Sequence, residues 1–151
     1  MKYWQPEKRD KKIVYLISSL RNPQIPHIAS VLRREANVEV FDDWYAAGPE
    51  ADDYWQKYEQ ERGSSYSVAL RSWFAQHVYQ FDLHHLNRAS HAVLVLPAGR
   101  SGHLEFGYLI GQGKKGYVLF DREPERWDVM YNFATGVYFN IEELASDLRI
   151  V

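Results

Sequence analysis

Short apolar runs recur along this chain, each followed by a stretch with helical periodicity, and that alternation limits its fold more than any other feature. The runs are Ile13-Val14-Tyr15-Leu16-Ile17, Val38-Glu39-Val40-Phe41, Ala92-Val93-Leu94-Val95-Leu96 and Gly116-Tyr117-Val118-Leu119-Phe120. Runs this brief and this apolar read as buried strands. A shorter strand is predicted at 136–139. Between them the spacing predicts helices at 26–36, with Ile28, Val31 and Leu32 on one face, and at 54–62, ended by Gly63. Further helices are predicted at 64–88, 103–112 and 141–148. Strands separated by helices pair in parallel, and the helices cover both faces of the sheet. The expectation is an α/β three-layer sandwich, flavodoxin-like or Rossmann-like, with a five-stranded parallel sheet of order 2-1-3-4-5.

Bulk properties narrow the function classes. A chain of 151 residues fits one domain, 1–151, with a real core. A net charge of −2 gives no electrostatic reason to bind a nucleic-acid polymer or a membrane surface. No apolar run approaches the roughly 20 residues of a membrane helix. The polar N-terminal stretch 1–12 has no hydrophobic signal region. Cysteine is absent, which removes disulfides and thiolate chemistry and fits a cytoplasmic protein. Five Trp, eleven Tyr and seven Phe, many of them between Trp44 and Phe81, need a use.

In a sheet of this order, ligands bind beyond the carboxyl ends of the strands, where strand order reverses. That crevice lies between the first and third strands. It would be lined by Ser18 to Asn22 and by Pro97 to Glu105. Glu105 would occupy the first turn of the following helix, where the helix N-terminus favours an ionised carboxylate suited to nucleophilic attack. The plain alternative is an ordinary acidic residue at a helix start. Asp82 stands among Phe81, Leu83 and Leu86 in the long helix, where a solvated helix face is the plain reading. Val68, Ala69, Ala75, Val78, Leu83 and Leu86 are that helix's buried candidates. Asp43 and Trp44 follow the second strand at the same edge. They could close over a planar ligand or pack the loop against the body. His103 could contact a ligand or serve as a polar first-turn residue.

Other motifs carry less. Gly111 to Gly116 formally match G-x-G-x-x-G, but they close a helix and open a strand, the reverse of a dinucleotide fingerprint. Helix termination explains them. Gly107 and Gly111 are expected to let their helix approach the sheet. The six histidines have no H-x-x-x-H or H-E-x-x-H spacing, so neither a metal nor a cofactor is expected.

Three segments in register resemble the nucleoside 2-deoxyribosyltransferase family, with most likeness to its branch of 2'-deoxynucleoside 5'-phosphate N-hydrolases. Tyr15 to Arg21 resemble its first strand and ligand loop, including a Ser-x-Arg run. Asp82-Leu83, leading to Ala92-Val93, resembles its Asp-Leu element. Ser101-Gly102-x-x-Glu105-x-Gly107-Tyr108 resembles its catalytic helix, with Phe106 in place of the usual leucine. Met130 is a counterpart of a methionine in a weaker C-terminal element. The resemblance implies that Glu105 is the nucleophile at C1' of a nucleoside or nucleotide. Asp82 would serve the leaving base, and Tyr15 would position the nucleophile or the sugar. It implies substrate contacts from Ser18, Ser19, Arg21, Asp43, Trp44, Gly99, Ser101, Gly102, His103 and Met130, and an assembly of at least two copies. Gly99 departs from the transferase branch, which has there an aspartate that holds a free 5'-hydroxyl. A monophosphate substrate is therefore expected, with Ser19, Arg21 and Ser101 toward the phosphate. The competing classes are an NAD-cleaving domain of the Toll/interleukin-receptor type and a non-catalytic nucleotide sensor. A flavin-binding flavodoxin lacks support, because the expected phosphate loop after strand one is missing.

Overall fold

The computed structural model describes residues 11–150. The stretch 1–10, part of the N-terminal segment read above as polar, lies outside the described residues, as does Val151. The sheet contains β1 (Ile13–Ile17), β2 (Glu39–Phe41), β3 (His91–Val95), β4 (Lys115–Leu119) and β5 (Gly136–Tyr138). All neighbours pair in parallel, in the order β2-β1-β3-β4-β5. Tyr15 stands between Phe41 of β2 and Ala92 of β3 in the register. The apolar runs therefore became strands in the expected order, with ends displaced by about one residue.

Side-chain alternation along β1 divides the core. Val14 and Leu16 join α1 (Ile25–Glu35) and α6 (Ile141–Ile150) on one face. Tyr15 and Ile17 join the other face, with α4 (Trp73–Arg88) and α5 (Arg100–Gly111). On α1 the apolar positions Ile25, Ile28, Ala29, Val31 and Leu32 are all buried, as the helical spacing requires. Layers of helix, sheet and helix result.

The segment 64–88 is not one helix. Ser65 caps α3 (Tyr66–Ala69) by accepting from the Val68 amide, and Ser72 caps α4 by accepting from the Ala75 amide. Serine favours such local bonds over a helix interior, so two caps in sequence break the run. Ala69 and Leu86 are buried, Ala75 and Leu83 partly so, but Val68 and Val78 are exposed. The acidic loop after β2 also has more structure than expected. It holds a 3-10 turn at Asp43–Ala47 and passes directly into α2 (Ala51–Glu61).

Candidate functional site

Glu105 owes its place to the way α5 leaves β3. The helix begins at Arg100 after the N-cap Gly99, earlier than the sequence pattern indicated. Glu105 is therefore in the second turn, not the first, and the first turn has no acidic residue. Gly102 brings this turn onto the sheet. A Cβ there would lie 3.1 Å from Ile17 and 3.3 Å from Ala98. Gly107 and Gly111, expected to make the close approach, face open space. Gly116 of β4 makes it instead, with a Cβ position 2.7 Å from Phe106.

Three elements bring ionisable groups together here. Tyr15, 1% exposed on β1, directs its phenol toward α4 and α5. Asp82 comes from α4 and Glu105 from α5, and both are partly buried. Burial raises the Glu105 carboxyl from 4.5 to about 7; hydrogen bonding with Tyr15 opposes the rise, and the Asp82 charge adds to it. Burial likewise raises Asp82 from 3.8 to about 6. The Tyr15 phenol is driven far above its ordinary value, first by burial and then by the Glu105 and Asp82 charges. The expectation that a helix terminus would keep Glu105 readily ionised is thus overturned, because desolvation outweighs a dipole that acts mainly on the first turn. Burial thus raises both carboxyl groups toward neutrality, and the phenol beside Glu105 stays neutral. Such a pair can hold one member as an anion and the other as an acid.

The surrounding loop residues differ in what they are free to do. Ser18 Oγ donates to the Val95 carbonyl at 2.9 Å and accepts from Asn22 Nδ2 at 3.1 Å, joining the ends of β1 and β3. Ser19 Oγ accepts from the Arg21 amide at 3.1 Å. The Arg21 guanidinium extends outward to Asp53 on α2, at 2.8 Å. Trp44 is committed to the fold: its indole N–H donates to the Leu16 carbonyl at 2.8 Å, and its ring packs against both core layers. The bond and the packing hold this loop against the body of the protein. Asp43 is exposed at the start of the 3-10 turn. Ser101 is exposed, and no atom lies within 4 Å of a Cβ built on Gly99.

His103 Nδ1 lies 2.8 Å from the Gly99 carbonyl and Nε2 lies 3.0 Å from the Tyr131 hydroxyl. A carbonyl only accepts, so Nδ1 carries the proton and Nε2 accepts from Tyr131. His103 thereby ties the start of α5 to the 3-10 turn Val129–Phe133, on which Met130 is 59% exposed. Beyond this tie an open aromatic cleft of about 300 Å³ is lined by Phe120, Trp127, Tyr131 and Phe139. Sequence reasoning placed Asn22 at the end of the crevice loop and gave no role to Asp53 or Tyr131. Asn22, a polar residue 8% exposed in the loop between β1 and α1, gave a usable signal by preceding Pro23. Among the described residues no group of three His, Asp or Glu side chains could hold a metal ion.

The architecture is the nucleoside deoxyribosyltransferase-like α/β fold. The chain resembles the solved 2-deoxyribosyltransferase of Bacillus psychrosaccharolyticus, with a TM-score of 0.61 and 17% identity over 90% of this chain and 95% of that one. It also resembles the CMP N-glycosidase BcmB of Clostridium botulinum, with a TM-score of 0.50 and 14% identity over 91% of this chain and 98% of that one. Both neighbours bear the names of enzymes of the sugar–base bond. No protein-family model and no curated protein matches the sequence.

Proposed function

We propose that the chain cleaves the N-glycosidic bond of a nucleoside 5'-monophosphate, with Glu105 as nucleophile. The observation that carries this reading is the convergence of Glu105, Asp82 and Tyr15 from α5, α4 and β1. In the first step a Glu105 carboxylate oxygen bonds to C1' while the C1'–N bond breaks and its electron pair leaves with the base. Asp82 gives its proton to that base. In the second step water attacks C1', its proton returns to Asp82, and the Glu105–C1' ester bond breaks. A second base in place of water would make the reaction a transfer. The oxocarbenium-like transition state of both steps carries positive charge, which a fixed carboxylate stabilises. The Tyr15 phenol, held neutral, donates toward Glu105 and keeps the carboxylate oriented.

The preference for a monophosphate is supported by two features. Gly99 leaves open space and brings no negative charge to the crevice. Arg21 carries a guanidinium on the β1 loop that suits multidentate phosphate recognition once it exchanges Asp53 for the phosphate. Incubation with a panel of nucleosides, nucleoside monophosphates and NAD, scored for free base by chromatography, tests the reading. Release from monophosphates by the wild type but not by Glu105→Ala is expected. Release from NAD alone would assign the Toll/interleukin-receptor-type reaction instead, and binding without release would assign a sensor. Arg21→Ala should raise KM for the monophosphate and remove its advantage over the nucleoside; an unchanged advantage would contradict the phosphate assignment.

A further inference from the structure

The first turn of α5, which leads to Glu105, has few anchors of its own. Its N-cap, Gly99, makes no side-chain cap, and the Arg100 and Ser101 side chains are exposed. Leu104, next to Glu105, is also exposed. Gly102 lets the turn lie against Ile17 and Ala98, but a residue without a side chain does little to set the turn's rotation. Phe106, buried against Gly116, anchors only the turn that follows. Among the described residues from 100 to 104, only His103 has a side-chain hydrogen bond to another element.

That bond is the outer half of a relay. The Tyr131 hydroxyl donates to His103 Nε2 at 3.0 Å, and His103 Nδ1–H donates to the Gly99 carbonyl at 2.8 Å. The same carbonyl accepts the His103 backbone amide at 3.3 Å, a long bond that the imidazole reinforces. Tyr131 itself is well fixed. Its ring meets the buried Phe120 ring edge-on, with centroids 5.4 Å apart. Asp128 Oδ1 closes the 3-10 turn by accepting from the Met130 amide at 2.8 Å. Just beyond the turn, the Thr135 amide donates to the Gly116 carbonyl at 2.6 Å, and Thr135 Oγ1 accepts from the Gly116 amide at 3.1 Å. The relay thus ties the start of α5 to β4. Both of its bonds are open to water, so they add little to stability. What they fix is direction. His103 and Glu105 are two residues apart and lie on different sides of α5, so the tie leaves the reacting side clear.

We infer that Tyr131 is a positioning residue for Glu105, acting through His103 on the first turn of α5. The inference rests on Glu105 as the nucleophile. Displacement at C1' needs the attacking oxygen in line with the breaking bond, and a misplacement of about 1 Å can cost about a hundredfold in rate. A rotated turn would move Glu105 relative to Tyr15 and Asp82, which stand on β1 and α4. The Tyr131 hydroxyl therefore acts on the rate of bond cleavage rather than on substrate affinity.

The test compares the full-length wild type with Tyr131→Phe, which keeps the ring and loses the hydroxyl. His103→Asn, whose amide still reaches the Gly99 carbonyl but not Tyr131, and the double variant complete the set. Base release from monophosphates, thermal melting and carbon-13 NMR titration of the Glu105 carboxyl are measured in each. Tyr131→Phe should lower kcat about tenfold, leave KM within about twofold and leave Tm within about 2 °C. The Glu105 midpoint should fall toward the ordinary carboxylate range by about half a pH unit or more, as a looser turn admits water. Tyr15 and Asp82, the ionisable groups that act on it, are unchanged in every variant. His103→Asn should behave as Tyr131→Phe does, and the double variant should be no worse than either, because both break the same bond. An unchanged midpoint in Tyr131→Phe would overturn the inference whatever the rate. So would a raised KM at constant kcat, a larger loss of Tm, or losses that multiply in the double variant. If the wild type released no base while the midpoint still moved, the proposed reaction would fall and the positioning of Glu105 would stand.

Discussion

Helices α1 and α4 cover opposite faces of the same sheet, and they use their apolar residues in opposite ways. α1 buries five of them in a continuous stripe. α4 is longer and richer in aromatic residues, yet it buries Leu86 alone and leaves Trp73, Phe74, Val78, Tyr79 and Phe81 exposed. What α4 does turn inward includes a carboxyl group, Asp82, partly buried and close enough for its charge to act on Tyr15 and Glu105. The α1 face is a dry core that holds the sheet. The α4–α5 face carries a polar load which burial makes costly. Cost without a structural return is the expected mark of a functional site.

The largest effect should come from the polar face, and on activity. Glu105→Gln should lower kcat by about 10³-fold or more, because the amide cannot form the glycosyl ester. On the dry face the largest effect should be on stability. Leu32→Ala, at a fully buried position, should cost about 3 kcal/mol and lower Tm by several degrees. If the two substitutions had the reverse pattern, the contrast between the faces would fail.

A pH series sharpens the comparison. Glu105 and Asp82 are both raised on folding, so the folded chain prefers their neutral forms. Their contribution to stability is complete below about pH 4 and is lost as pH rises through about 6 for Asp82 and about 7 for Glu105. Glu105→Gln removes that loss. At pH 8 the variant should be more stable than the wild type by roughly 2 kcal/mol, and at pH 4 the two should coincide. Thermal melts at both values check this. Because Asp82 ionises below Glu105, the reactive form, with Glu105 as the anion and Asp82 as the acid, is the minor one of the two singly protonated forms, and kcat/KM should give a narrow bell between about pH 6 and 7. Asp82→Asn should lower the rate about 10²-fold and abolish the alkaline limb. A profile that kept that limb would remove Asp82 from proton transfer.

The smallest expected effect is on the outer side of α4. Val78→Ser should change stability by about 0.5 kcal/mol or less, since the side chain is 42% exposed. A loss comparable to that of Leu32→Ala would mean that another surface covers this helix.

The same contrast explains what could be read from the sequence. Strand positions and sheet order were legible because buried parallel strands must be short and apolar on both sides, and α1 was legible because one stripe serves one core. The break between α3 and α4 was not, because it depends on the Ser65 and Ser72 hydroxyls capping rather than pointing to solvent. The start of α5 was misplaced because Gly99 caps it without a side-chain bond. Glu105 stood out through its place at the crevice as well as its motif, Asp82 only through motif resemblance. Their raised pKa values come from desolvation by elements distant in sequence, which no local pattern encodes.

The central claim is that Glu105 bonds covalently to the sugar. Intact-protein and peptide mass spectrometry should be run after incubation with 2'-deoxy-2'-fluoroarabinosyl nucleoside 5'-monophosphates, whose fluorine slows both steps by destabilising the oxocarbenium-like transition state. With a good leaving base the ester accumulates, and the chain should gain the mass of one fluoroarabinosyl phosphate on the peptide that contains Glu105. Base release without an adduct, or an adduct on any other residue, would contradict the account.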